Sequence, residues 1–305
     1  MAAPMDLNVC LEEAGSLKSK VKLAFELGYD VIAVNYVIPE LQSQTQKKKR
    51  KSTDQQQLLS PSQVKLSDEI IADLNLKQGK HSQKQLARIS TVITDTSNLH
   101  RLSSEQVQSF ELIAVQPTSE KTFHQACSNL DIDIITIDVT QRLPFHIKRA
   151  SIHKALERGI HFEIQYCPAI RDSSTRKNTI SNVLSLISCC KGKNVILTSG
   201  CLKPIELRGP YDVANLGMIF GLTQAQGKEA ITTNCRAVLY HSESRRALKS
   251  TISVIKSSQI QSKDSWILNK CRLDTDGEGN GDDTEANNIQ QVRKKIRNED
   301  VIGDG

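Results

Sequence analysis

Short β-branched runs alternate with helix-period segments through most of this chain, and that alternation leaves few folds open. Strand-like runs fall at 5–10, 30–35, 88–94, 112–115, 132–137, 161–165, 194–198 and 237–241. Several of them, such as 132–137, are largely apolar, which is the pattern of strands covered on both faces. Between them lie helical stripes with clear punctuation. Ser16 stands at the start of one whose apolar face is Leu17, Val21, Ala24 and Phe25, with Gly28 after it. A second runs from Ser151 to Gly159 with Ile152, Ala155 and Leu156 inside. A third is capped by Asp172 or Ser173, carries Ile180, Val183, Leu184 and Ile187, and ends at Gly192. Each pairs an oxygen-bearing cap with a terminal glycine. Eight strands with helices between them predict a parallel α/β sheet. Eight is also the number that closes a TIM-barrel-like (β/α) barrel through right-handed crossovers. A doubly wound open sheet uses the same elements; the barrel is the expectation.

Two stretches break the alternation. Residues 40–85 are rich in Gln, Ser and Lys and read as a flexible basic insertion, apart from a short helix near 64–76. Beyond 256 the periodicity fades and acids accumulate, so the chain reads as one barrel domain over 1–256 with a disordered acidic tail at 257–305. No apolar run approaches the ~18 residues that span a bilayer, and residues 1–10 lack the basic start and apolar stretch of a secretory signal. A reducing compartment follows as the expectation. The eight cysteines contain no Cys-x-x-Cys and read as small buried hydrophobes.

Motifs for catalysis are missing. A metal site on such a barrel needs His, Asp, Glu or Cys ligands at the C-terminal ends of strands. Polymerase-and-histidinol-phosphatase barrels place a His-x-His pair on their first strand. This chain has Asp6-Leu7-Asn8 there, and no His-x-His anywhere. The likeness to that class is one of fold, without its metal ligands. There is no Gly-x-Ser-x-Gly elbow, no phosphate-binding Gly-rich loop and no dinucleotide fingerprint, so neither catalytic residues nor a cofactor are expected. Residues 274–285 match a calcium loop at positions one, three, six and twelve. Gly281 nevertheless fills a position that such loops keep apolar, and a solvated acidic segment is the reading preferred.

The charge distribution points to a polyanion. Net charge is only +6, yet between residues 141 and 210 twelve Lys or Arg face four acids. Lys47, Lys48, Lys49, Arg50 and Lys51 form a run within the insertion that reads as a nuclear-import signal, and Arg293, Lys294, Lys295 and Arg297 form a weaker cluster. Gly209-Pro210 suits a helix start, since proline loses no hydrogen bond at the first position. Arg208 just before it either binds phosphate as a two-pronged donor or braces the turn against Glu206 or Asp212.

Residues 190–222, from Cys190-Lys191-Gly192-Lys193 through Arg208-Gly209-Pro210-Tyr211 to Gly217-Met218-Ile219-Phe220-Gly221-Leu222, resemble the thirty-kilodalton protein subunit family of eukaryotic ribonuclease P and ribonuclease MRP. Leu27-Gly28-Tyr29-Asp30, Lys121-Thr122-Phe123-His124, Arg142-Leu143-Pro144-Phe145, Tyr166-Cys167-Pro168 and Thr233-Asn234-Cys235-Arg236 add to the resemblance, in order, from about residue 5 to residue 256. The resemblance implies a barrel fold, residence in the nucleus and nucleolus, and a non-catalytic role. The particle's RNA performs the hydrolysis that removes 5′ leaders from precursor tRNA, and the related MRP particle processes ribosomal RNA precursors. Implied partners are the ribonuclease P and MRP RNAs, other protein subunits including a small RRM-like one, and precursor tRNA through the holoenzyme. Lys and Arg side chains would then neutralise phosphates. Arg171, Arg176, Lys177, Lys191, Lys193 and Arg208 are the candidates for RNA contact. Arg176 and Lys177 fall on the first turns of a helix, where cations oppose the dipole and an anion is expected nearby. The main rival is a metal-dependent phosphoesterase; a metabolic barrel enzyme and a nuclear adaptor without RNA contacts are the others.

Overall fold

A computed structural model describes residues 3–11, 14–39, 58–78, 83–97 and 99–247. Its elements alternate in chain order. They begin β1 Met5–Cys10, α1 Ala14–Glu26, β2 Val31–Ile38, α2 Pro61–Val64, α3 Asp68–Gln78, β3 Lys84–Ile93, α4 Glu105–Gln108, β4 Leu112–Pro117 and α5 Glu120–Ser128. They continue β5 Ile134–Thr136, α6 Arg149–Glu157, β6 His161–Gln165, α7 Cys167–Arg171, α8 Ser173–Cys190, β7 Val195–Thr198, α9 Pro210–Ile219, α10 Gln224–Glu229 and α11 Thr233–Arg246. The seven strands pair in sequence order, every pair parallel, giving the expected barrel one strand short. None of the described helices is long and apolar enough to cross a membrane.

The expected eighth strand at 237–241 is helical instead, within α11. Cys235, Val238 and Ser242 are buried while Ala237 and Tyr240 face out, a helical rather than an alternating pattern. Five residues are too few for periodicity to separate the two. The barrel therefore closes by substitution. The Leu197 amide donates to the Ala230 carbonyl (3.1 Å) and the Met5 amide to that of Ile231 (2.8 Å), so a short connection stands in for a strand. Nearer the C-terminal end, Gly200 donates to the Asn8 carbonyl (2.9 Å) and Val9 bridges Cys201.

Other boundaries move by a few residues. The first helix begins before Ser16, which is therefore no cap, and the helix holding Ser151 begins at Arg149 after Lys148. Asp172 caps α8 as expected, its carboxylate accepting from the Thr175 amide at 3.3 Å. Leu184, placed on that helix's apolar face, is 44% exposed. β3 starts at Lys84, inside the stretch read as insertion, and α2 and α3 occupy the place of its short helix. Residues 40–57 and 248–305 lie outside the described residues, and with them the import run, the 274–285 loop and the 293–297 cluster. Gly28 takes φ +101° after α1, a left-handed conformation that costs glycine nothing.

Side chains alternate between two apolar layers. Phe25, Ile89, Ile113, Ile135 and Phe162 pack between barrel and helices. Leu7, Leu86, Leu112, Ile134 and Ile196 fill the barrel with Cys235 and Val238 of α11, which closes its N-terminal end.

Candidate nucleic-acid interface

The C-terminal mouth of the barrel is where this architecture places chemistry, and here it is filled by a closed polar network. One turn of the alternation above the apolar layer, Arg88 and Glu163 meet with side chains fully buried, at 2.5 Å and 2.6 Å between their two pairs of atoms. Arg88 also donates to the Leu7 carbonyl (2.7 Å) and to Ser90 (3.1 Å). Glu163 accepts from Thr136, from Thr198 (2.8 Å) and from the Asn8 amide (3.1 Å). Burial alone would push the Glu163 carboxyl up, but the Arg88 guanidinium and the threonine hydroxyls hold it below the usual range. Two charges so far from water need this fork geometry and these extra hydrogen bonds to be tolerated at all. The Arg88–Glu163 pair therefore spends its hydrogen-bonding capacity on its neighbours, while Asn35, whose amide donates to the Asn8 side chain (2.8 Å), keeps a buried Oδ1 without a partner among the described residues.

Asp6, on the strand where metal-dependent barrels carry ligands, is committed to the seam. Its Oδ1 accepts from the Asn8 and Ser199 amides, both at 3.1 Å, across a bulge in β1. Burial pushes its carboxyl up to about 6, despite the lowering effect of those hydrogen bonds. Among the described residues, no three His, Cys, Asp or Glu side chains converge where they could hold a metal ion.

The six basic candidates divide between the two ends of the barrel. Arg171, Arg176, Lys177 and Arg208 lie at the C-terminal end, where α7, α8 and the segment before α9 begin. Lys191 and Lys193 follow α8 at the N-terminal end, and 18 residues of helix at ~1.5 Å each put about 27 Å between the groups. Their local roles differ as well. Arg171 forks onto Glu206 at 2.8 Å and 2.9 Å. Burial would raise the Glu206 carboxyl, but Arg171 and the amides of Leu202 and Lys203 hold it at about 2. Arg208 braces its turn, though not against an acid. Its guanidinium donates to the carbonyls of Ile205 and Leu207, both at 2.8 Å, and its backbone is gripped by the hydroxyls of Tyr29 (3.0 Å) and Tyr166 (3.1 Å). Arg176 donates through Nε to the Ala169 carbonyl (2.7 Å). The anion expected near Arg176 and Lys177 is Asp172, the cap of α8. Lys177, Lys191 and Lys193 extend into solvent, their side chains pairing with nothing among the described residues. Lys191 ends α8 at φ 56°, uncommon for a side chain with a Cβ, and its amide donates to the Ile187 carbonyl at 2.7 Å.

Folding sets two further cations along α8. Asn178 donates to the Thr140 carbonyl (3.0 Å), and Asn182 to those of Val139 (3.0 Å) and Gln141 (2.7 Å). These bonds tie the start of the β5–α6 loop to the first half of α8, and the Cys189 thiol donates to the Ile147 carbonyl (3.8 Å) at the other end of that helix; exposed Arg142 follows the first contact and exposed Arg149 the second. Sequence reasoning counted both within the basic region without singling them out. The signal that could have found them was the amide pair at i and i+4 on α8, facing a loop.

Comparison with known proteins agrees with this architecture. Residues 3–247 match the family described as RNase P subunit p30. The chain is 42% identical over 279 residues to the ribonuclease P protein subunit p30 of Mus musculus, covering 89% of this chain and 98% of that one. It is 32% identical to the probable ribonuclease P protein subunit 3 of Schizosaccharomyces pombe, covering 79% and 94%. A chain from a cryo-EM structure of archaeal ribonuclease P with mature tRNA shares the fold, with a TM-score of 0.58 at 12% identity over 84% of this chain and 100% of that one. On the extent of these matches, the chain belongs to the RNase P subunit p30 family.

Proposed function

We propose that this chain is a non-catalytic RNA- and protein-binding subunit of nuclear ribonuclease P, which removes 5′ leaders from precursor tRNA, and of ribonuclease MRP, which processes ribosomal RNA precursors. Family membership over residues 3–247 is the observation that carries the reading. In it the particle's RNA performs the hydrolysis, the chain resides in the nucleus and nucleolus, and Lys47–Arg50 with Lys51 serve import. A barrel whose central charged pair is sealed by its own hydrogen bonds suits a scaffold better than an enzyme. The metal-dependent phosphoesterase is the weaker reading, because Asp6 is engaged across the seam and no group of three His, Cys, Asp or Glu side chains that could hold a metal ion occurs among the described residues.

RNA contact falls to the basic side built from residues 142–208, through Arg171, Arg176, Lys177, Lys191, Lys193 and Arg208 as candidates. Protein contact is supported by exposed apolar side chains outside β7: Ile205 at 78%, Tyr211 at 67%, then Met218, Ile219 and Leu184. Contiguous apolar exposure of this kind marks protein interfaces, and a small RRM-like subunit is the partner proposed. The test is recovery of a tagged chain from nuclear extract. Ribonuclease P and MRP RNAs, together with leader removal from precursor tRNA, are expected in the recovered fraction. A folded chain that brings down neither RNA would sink the proposal, as would divalent-dependent hydrolysis by the purified chain alone.

A further inference from the structure

We propose that the C-terminal mouth of the barrel receives one unpaired nucleobase of the RNA partner, held along its hydrogen-bonding edge by Asn35 and Gln165, with Cys10 and Ser90 beside them. The inference rests on the functional reading above and deepens it, adding a base contact to the phosphate contacts.

The four residues are tied to one hub, Asn8. Its Oδ1 accepts from the Asn35 amide at 2.8 Å and from the Cys10 thiol at 3.8 Å. Its Nδ2 donates to Glu163, whose partner Arg88 donates through Nε to Ser90 at 3.1 Å. Its carbonyl accepts from the Gly200 amide at 2.9 Å, and Gln165 lies over that glycine, its Oε1 2.8 Å from where a Cβ would stand. All four sit in the C-terminal halves of their strands. Their hydrogen-bonding capacity is not used up. Asn35 is 2% exposed and keeps Oδ1 without a partner among the described residues, and a buried acceptor left so costs stability. The Gln165 amide is half-buried and pairs with nothing among the described residues, so its donor and its acceptor both remain. The half-buried Ser90 hydroxyl accepts from Arg88 and still has its own proton to give.

The chemistry of the ligand follows from these groups. Charges close to them are engaged: Arg88 pairs with Glu163 at 2.5 Å, and Lys20 donates to the Cys10 carbonyl at 2.8 Å. Neutral amides, a hydroxyl and a thiol suit a neutral ligand, whereas a phosphate or carboxylate drawn in among them would lose its water without gaining a cation. Side-chain amides match the edge of a nucleobase, where donor and acceptor stand side by side. Val37, on the same side of β2 as Asn35 and 50% exposed, offers an apolar contact to the face of the base. Arg171, Arg176 and Arg208 lie at this same end of the barrel. One unpaired stretch of RNA can then give its phosphates to the cations and a splayed base to the mouth. Contacts to phosphate position such a strand, and contacts to the base edge read it.

The experiment uses the full chain, tagged and recovered within its particle with precursor tRNA bound. Its RNA is probed with base-modifying reagents, dimethyl sulfate for A and C and a carbodiimide for G and U. Gln165→Leu and Val37→Glu are each compared with wild type. Both side chains lie outside the hydrogen-bonded network, so neither change should lower Tm appreciably; if one does, the other is read. One unpaired base, shielded in wild type, should react about tenfold faster in either variant, the worth of one amide pair. Recovery of the RNA through stepped KCl washes should stay within about twofold of wild type, because no phosphate contact is removed. Bases that react alike in wild type and variants overturn the proposal. So does loss of a protein subunit from the variants with the base pattern unchanged, which would make the mouth a protein-docking site. Absence of the RNA from the wild-type fraction is a different result, and it overturns the functional reading itself.

Discussion

Asp6 carries a carboxylate that water never reaches, and its position in the seam accounts for its odd chemistry. Oδ1 takes two backbone amides that an eighth strand would otherwise have satisfied, while Oδ2 has no partner among the described residues. Burial raises the group from 3.8 to about 6. Between those values the folded chain binds a proton that the unfolded chain releases, so this group's contribution to stability grows as pH falls from 6 toward 4 and is lost as pH rises through 6. Asp6→Asn keeps an oxygen for the two amides and cannot ionise. The stability difference between variant and wild type should therefore shift in the variant's favour by up to about 3 kcal/mol between pH 4 and pH 7. Urea unfolding of both chains across that range reads it, and a flat difference would show that Asp6 does not titrate in this window. The sequence places Asp6 on the first strand but gives no sign of the seam, because the amide it satisfies belongs to Ser199, 193 residues away. Arg88 poses the same difficulty. Its strand is readable, but the Glu163 that allows an arginine inside a barrel lies 75 residues on.

At the scale of elements, α11 does the work expected of a strand by a different route. It presents Cys235 and Val238 to the barrel's inner layer and anchors its last turn through Arg245, which reaches buried Asp133 at 3.0 Å. Asp133 also accepts from the Ile113 amide (2.9 Å) and pairs with His241 at 2.9 Å, so one carboxylate joins β4, β5 and α11. Arg245→Ala removes the nearly buried cation and the bonds to Gln108 (2.7 Å) and to the carbonyls of Phe110 and Glu111. A loss of about 3–5 kcal/mol is expected, seen as a lower denaturant midpoint at unchanged slope. A change below about 1 kcal/mol would mean that His241 alone secures the helix. Seven of the eight strands were legible because each pairs with its sequence neighbour and reads as a β-branched run. The eighth failed because a helix buried on one side and a short apolar strand look alike over five residues, and what decides between them here is contact with strands far away in the chain.

Across the whole molecule, exposed charge and exposed apolar side chains concentrate in different stretches of the described chain. Residues 142–181 carry exposed cations and no large exposed apolar side chain, and α9 offers Tyr211, Met218 and Ile219 at i, i+7 and i+8, with Leu184 of α8 exposed nearby. Close packing of α9 on its neighbours makes that face rigid. A Cβ on Gly227 would lie 2.5 Å from the Ala214 carbonyl, so only glycine lets α10 approach α9 this closely. The residues of this face fall within the stretch that carries the family resemblance, yet sequence alone could not tell which of its apolar side chains point inward. Phe220 and Leu222 are buried, whereas Met218 and Ile219 are not. On the function proposed above, RNA and protein contacts should be separable by mutation. Tyr211→Asp/Ile219→Asp adds charge at positions that are already exposed, so its effect on Tm should be small, within about 0.5 kcal/mol per site. Recovery of the partner protein subunits from nuclear extract should fall about tenfold or more, as truncation at the centre of an interface typically does. RNA held through basic side chains elsewhere on the barrel should leave at the same salt as in wild type wherever the chain still enters the particle. Equal loss of protein partners and RNA from this variant would mean instead that both contacts use one composite interface.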